Sequence, residues 1–241
     1  MLFRLDGVVH TSDLPVQAFA RHLTEQLPAD QIRPLIAGMR GFLENKPELI
    51  PTGTDFGPAE DGYQAVEQLA RCAGLTPAQI AAAQQASRAD LATSAWAVDL
   101  ADGLDELLVS LGADCLVGVF AEPADPAAPA VLDALDLDGR VSLLTAPLAA
   151  AIPGLCPDSD DDPKRQNRIL VVGSRWNGEL DAAAAAGCRT ALVDRYGLGR
   201  GSPGWRAAAL AGLTGPIRSW ATGDAGHRPT EDGSPATMNA R

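Results

Sequence analysis

Two short segments hold the residues whose types and spacing could do chemistry. Phe3-Arg4-Leu5-Asp6-Gly7-Val8-Val9 places an arginine and an aspartate two positions apart in an apolar run. Ile169-Leu170-Val171-Val172 is a second apolar run, and Gly173-Ser174-Arg175-Trp176-Asn177-Gly178-Glu179 follows it. A carboxylate at the tip of a strand can act as a nucleophile or exchange a proton. A guanidinium can do neither, because it stays protonated and offers no lone pair. Residues two apart on a strand leave the same face, so Arg4 and Asp6 are expected side by side. Arg4 and Arg175, beside the amides of a strand-to-helix loop, form a cationic pair suited to an anion. Taken alone, Asp6-Gly7 reads more simply as a turn.

Other features carry less. Gly197-Leu198-Gly199-Arg200-Gly201 follows an apolar run and precedes a stretch read as helical near Trp205. Its spacing is not that of a dinucleotide loop, so it reads as a flexible loop. Asp158–Asp162 offers carboxylates to a hard cation, but it lacks the glycine and closing glutamate of a calcium loop and reads as a solvated acidic loop. Cys72, Cys115, Cys156 and Cys188 contain no Cys-x-x-Cys pair, and His10, His22 and His227 do not cluster with them. That argues against zinc and redox pairs, and free thiols fit a reducing cytoplasm.

These residues need a scaffold to position them. Apolar runs at 2–9, 115–120, 141–145, 169–172 and 190–194 read as strands. Between the later ones lie helical patterns at 103–111, 126–135 and 179–186, with an irregular acidic stretch between 145 and 169. Continuous apolar strands alternating with helices predict an α/β fold with a doubly wound, Rossmann-like parallel sheet covered on both faces. Residues 13–95 instead carry only helical patterns, at 13–27, 31–43, 61–73 and 77–93. The economical reading is a core of residues 1–12 and 97–218 interrupted by a helical cap of residues 13–96. Residues 219–241 have few large apolar side chains and read as a disordered tail.

The 241 residues include 19 basic and 31 acidic ones, a net charge of -12. Such a surface excludes general binding to nucleic acid or to anionic membranes. No apolar run reaches the roughly 18 residues needed to span a bilayer. The first residues, MLFRLDGVV, do not read as a secretory leader. A cytoplasmic location is the expectation.

The two chemical segments, the helical insertion between them, and the run LDAAAAAGCRTALVDR (180–195) together resemble the haloacid dehalogenase superfamily. The likeness is to the branch with a helical cap that includes phosphoglycolate phosphatases and β-phosphoglucomutases. It implies a phosphatase-like site in which an Asp-x-Asp-Gly motif supplies a nucleophile and then a general acid/base. Here Arg4 stands at the nucleophile position and Asp6 at the acid/base position. Ala121 stands where the resemblance implies a Ser or Thr, Cys156 where it implies a Lys, and Ser174 where it implies a metal-binding Asp. Glu179 keeps the later acidic position.

Magnesium is held by hard oxygens, usually including one or two carboxylates. A unit charge 4 Å from another is worth about 4 kcal/mol at an effective dielectric near 20, and a dication beside Arg4 would feel roughly double that as repulsion. Arg4 is therefore expected to fill the cation position itself and to pair with Asp6 and Glu179. No cofactor is expected, and Mg²⁺ only if the site is active after all. The first reading is a catalytically inactive pseudophosphatase acting as a binding or regulatory module for a phosphorylated small molecule. The alternatives are an active hydrolase using Asp6 and a structural subunit, either a homodimer or the partner of another protein.

Overall fold

The computed structural model describes residues 1–93, 98–112, 115–155 and 169–223. Strand β1 (Leu2–Arg4) is followed by four helices, α1 (Leu14–Thr24), α2 (Ala29–Leu43), α3 (Gly62–Cys72) and α4 (Pro77–Thr93). The chain then alternates through α5 (Leu104–Leu111), β2 (Gly118–Phe120), α6 (Ala128–Ala134), β3 (Ser142–Leu144), α7 (Leu148–Leu155) and β4 (Leu170–Gly173). It ends with α8 (Asp181–Ala185), β5 (Arg189–Val193), β6 (Trp205–Ala207) and α9 (Thr214–Ala221).

The strands form one sheet in the order β3-β2-β1-β4-β5-β6, and every pairing is parallel. This is the doubly wound α/β sheet expected from the alternating pattern. From β1 the chain winds one way through β2 and β3, and from β4 it winds the other way through β5 and β6. The winding direction thus reverses between β1 and β4, and the carboxyl ends of these two strands are where such sheets bind ligands. Arg4 and Ser174 stand at that point.

Alternation along each strand builds two apolar layers. Phe3, Val119, Leu170, Val172, Ala191 and Val193 face one layer with α5, α6 and α9, while Leu2, Phe120, Val171 and Leu192 face the other with α7 and α8. The four inserted helices pack on each other through Val16, Phe19, Leu23, Leu35, Met39, Val66, Leu69 and Ile80. Burying each of the larger side chains is worth roughly 1.5–3 kcal/mol, so the insertion holds a core of its own. Its caps are local: Asp61 Oδ1 accepts from Gln64 N at 2.8 Å, and Thr76 and Gln79 cap each other reciprocally at the start of α4.

Four elements differ from the sequence expectation. The first strand stops at Arg4 rather than running to residue 9, because Gly7 turns left-handed at φ 81° and Val9 N bonds back to Arg4 O at 3.1 Å. A side chain at Gly7 would also stand 3.1 Å from Ser174 Cβ, so the close passage of the two loops requires the glycine. The stretch between 145 and 169 is helical over α7, because Leu148 and Ile152 pack on the sheet. Residues near Trp205 form β6 rather than a helix, since Trp205 and Ala207 pair with Ala191 and Val193 at the sheet edge. Residues 219–221 belong to α9 rather than to a tail, with Trp220 packed against the core. Residues 224–241 lie outside the described residues, as do Cys156, Asp158–Asp162 and His227. No helix among the described residues is long and apolar enough to cross a membrane.

Candidate functional site

Arg4 is buried at the tip of the central strand. It donates Nη1 to Glu179 and Nη2 to Glu122 Oε1, the latter at 2.9 Å. Arg175 closes the arrangement from the other side, donating Nη2 to Glu122 at 2.5 Å and Nε to Glu179 at 3.3 Å. Two carboxylates thus lie between two guanidinium groups. Burial alone would lower the Arg4 pKa, but Glu179, Asp6, Glu122 and Asp61 raise it, so the charge is fixed. Burial raises the Glu179 carboxyl above its ordinary value against the pull of Arg4 and Arg175. Glu122 is more exposed, and there the two arginines overcome desolvation and lower its pKa.

Asp6 has a different partner from the one expected. Arg4 meets Glu179 but not Asp6, because Asp6 lies beyond the end of β1 in the turn and its side chain is taken by the cap. Arg88, on α4, donates to both oxygens of Asp6 at 3.1 and 2.5 Å, and His10 Nε2 lies 2.9 Å from Oδ1. Burial would raise the Asp6 pKa, yet Arg88 and His10 hold it well below the usual carboxylate range. Ser174 donates its hydroxyl to the Asp6 carbonyl at 3.1 Å, tying the β1 and β4 loops together.

The sequence-derived residues Arg4, Asp6, Ser174, Arg175 and Glu179 do come together. Ala121 sits at the end of β2, between Phe120 and Glu122, and contributes no polar group; Cys156 is outside the described residues. Sequence reading missed Arg88, Glu122, Asp61 and Glu60. Arg88 had a usable signal: it stands on the same helical stripe as Ile80, Ala83, Ser87 and Leu91, the buried face of α4. An arginine among small and apolar residues on a buried stripe must have a carboxylate opposite.

The Gly197–Gly201 loop serves packing. Asp194 accepts from Leu198 N and Gly199 N at 2.8 and 2.9 Å, and the Trp176 ring lies directly on Gly201.

A cavity of about 50 Å³ remains between cap and core, lined by Arg4, Arg88 and Arg175, by Asp61, Glu67 and Glu122, and by Phe19, Tyr63, Gln64 and Gln84. At roughly 10–15 Å³ per water, it has room for about three to five water molecules. The Arg88 guanidinium also lies over the Tyr63 ring, 4.7 Å from its centroid.

The fold recurs in solved structures. YfnB of Bacillus subtilis, described as a HAD-hydrolase bound to magnesium, is 15% identical with a TM-score of 0.55, over 90% of this chain and 96% of that one. A predicted phosphoglycolate phosphatase of Haemophilus somnus is 20% identical, also with a TM-score of 0.55 and the same two coverages.

The chain has the haloacid dehalogenase (HAD)-like fold.

No protein-family model and no curated protein matches the sequence. The HAD-like sheet tip in this chain has a donor set that fits poorly to a divalent cation. Asp6, Glu122 and Glu179 each already hold a guanidinium, and Arg4 adds a fixed positive charge among them. The Ser174 hydroxyl is turned to a backbone carbonyl.

Proposed function

We propose that this HAD-like protein is a pseudophosphatase, acting by binding or regulation rather than by turnover. One observation carries the reading: the Arg4 guanidinium sits between Glu179 and Glu122, where attack on phosphorus would need a free carboxylate. Asp6, the remaining carboxylate of the motif, is held by Arg88 and His10 and is not free to act as nucleophile or base. By the same charge argument no Mg²⁺ is expected to bind at the sheet tip.

The closed site also bears on the ligand. Arg4, Arg88 and Arg175 are already neutralised by carboxylates, and the cavity is small for a phosphate ester. A phosphorylated small molecule is therefore a poorer fit than the arginines alone suggest. Native mass spectrometry of the full chain distinguishes a bound small molecule from a protein partner or a second copy.

The deciding assay is turnover of p-nitrophenyl phosphate and phosphoglycolate with and without Mg²⁺. The expected result is no rate above the blank. Mg²⁺-dependent turnover that disappears in Asp6→Asn would establish the hydrolase reading instead.

A further inference from the structure

Three separate contacts fasten the helical cap to the loops of the sheet, and each uses a residue at or beside the remnant site. Arg88 of α4 grips Asp6 after β1. Asp61, which caps α3, lies 3.6 Å from Arg175 after β4. Glu60 is the third contact and the most unusual. This glutamate is 6% exposed, and it comes from the cap segment just before α3. It accepts from the backbone N–H of Trp176, from the N–H of Asn177 at 3.1 Å, and from the Asn177 side-chain amide.

We infer that the remnant site is a clasp that holds the cap permanently closed on the core, so that the two move as one body. The reason lies in what opening would leave behind. A hinge motion large enough to admit a ligand would separate Arg88 from Asp6 and strip Glu60 of three donors at once. Each of these groups is buried, and a buried charge without its partners is strongly penalised. A gating cap needs an interface that water can replace cheaply; here the Arg88–Asp6 pair is buried on both sides, and Glu60 is a buried carboxylate held by amides of the β4 loop. YfnB, which shares the fold, is described as showing interdomain movement, and the clasp is the opposite condition. The inference rests on the non-catalytic reading of the site, but its test measures motion and not turnover, so the two can fail separately.

Amide exchange and small-angle scattering on the full chain test it. In the unaltered protein the Trp176 and Asn177 amides should exchange as slowly as sheet amides such as Val172, and one closed shape should account for the scattering. Glu60→Ala should speed exchange at Trp176 and Asn177 by ~10- to 100-fold, with the sheet amides changed far less. Exchange of those two amides at the rate of an open loop, or scattering that requires an opened fraction, would overturn the clasp. If Glu60→Ala does not fold, exchange and scattering of the unaltered chain decide the matter alone.

Discussion

Arg88 of the cap helix α4 donates two hydrogen bonds to the two oxygens of Asp6 at the turn after β1, across 82 residues of sequence. The pair is buried on both sides, with side chains 7% and 8% exposed. A bidentate guanidinium–carboxylate pair is among the stronger polar contacts, and it fixes orientation as well as distance.

Breaking that pair from one side should be costly. Arg88→Met leaves Asp6 as a buried charge and is expected to lose about 3–5 kcal/mol in urea denaturation. Asp6→Asn combined with Arg88→Met removes both charges, and the double variant should regain roughly 2 kcal/mol over the sum of the single losses. Additive losses would show that the two side chains do not interact.

The same pair sets a sign for acid stability. Asp6 is held well below its ordinary pKa of 3.8, so its contribution is present above that value and is lost as pH falls through the folded-state value. The melting temperature of the unaltered protein should therefore drop more steeply between about pH 4 and pH 2 than that of the Asp6→Asn, Arg88→Gln double variant. Parallel pH profiles would contradict the depressed pKa.

Replacing the cation at the sheet tip should restore a metal response. Arg4→Asp with Ser174→Asp places new carboxylates beside Glu179 and Glu122 and should be less stable than the parent in EDTA. Millimolar Mg²⁺ should then raise its melting temperature by roughly 5 °C or more, if the concentration reaches about 100 times Kd. The unaltered protein should show no such shift. Phosphatase turnover should stay low even in the variant, since Ala121 supplies no hydroxyl.

The glycine loop makes a steric prediction. A Cβ at Gly201 would overlap the Trp176 ring, and the residue has φ 69°. Gly201→Ala should cost about 2–4 kcal/mol from overpacking and left-handed strain together. It should also change the tryptophan emission, because the ring must leave its seat. An unchanged spectrum with unchanged stability would mean that Trp176 does not rest on this loop.

The sheet was legible in the sequence because its strands are continuous apolar runs and its loops end in residues of unusual type, Arg4, Asp6 and Ser174. The helical insertion was legible because residues 13–93 keep a helical period with no strand signal. Two things hid the rest. Strands as short as Trp205–Ala207 owe their state to pairing with β5, which no local pattern carries. The partners of Asp6, Arg4 and Trp176 are Arg88, Glu122 and Glu60, which lie 82, 118 and 116 residues away in sequence. Charge alone does not choose among so many acidic candidates: proximity in sequence favours Arg4 as the partner of Asp6, whereas the fold pairs Asp6 with Arg88 of the cap.

The position of Arg4 also constrains how such a sequence can change with time. A single substitution that puts a carboxylate at position 4 would gather it with Asp61, Glu122 and Glu179, four acids around Arg175 with no counterion to spare. A single loss of Glu122 or Glu179 would take away one of the two carboxylates that Arg4 and Arg175 share. Each first step away from the present arrangement is unfavourable, although a coordinated set of steps need not be. The interlocked ions thus act as a ratchet against single-residue change at the sheet tip.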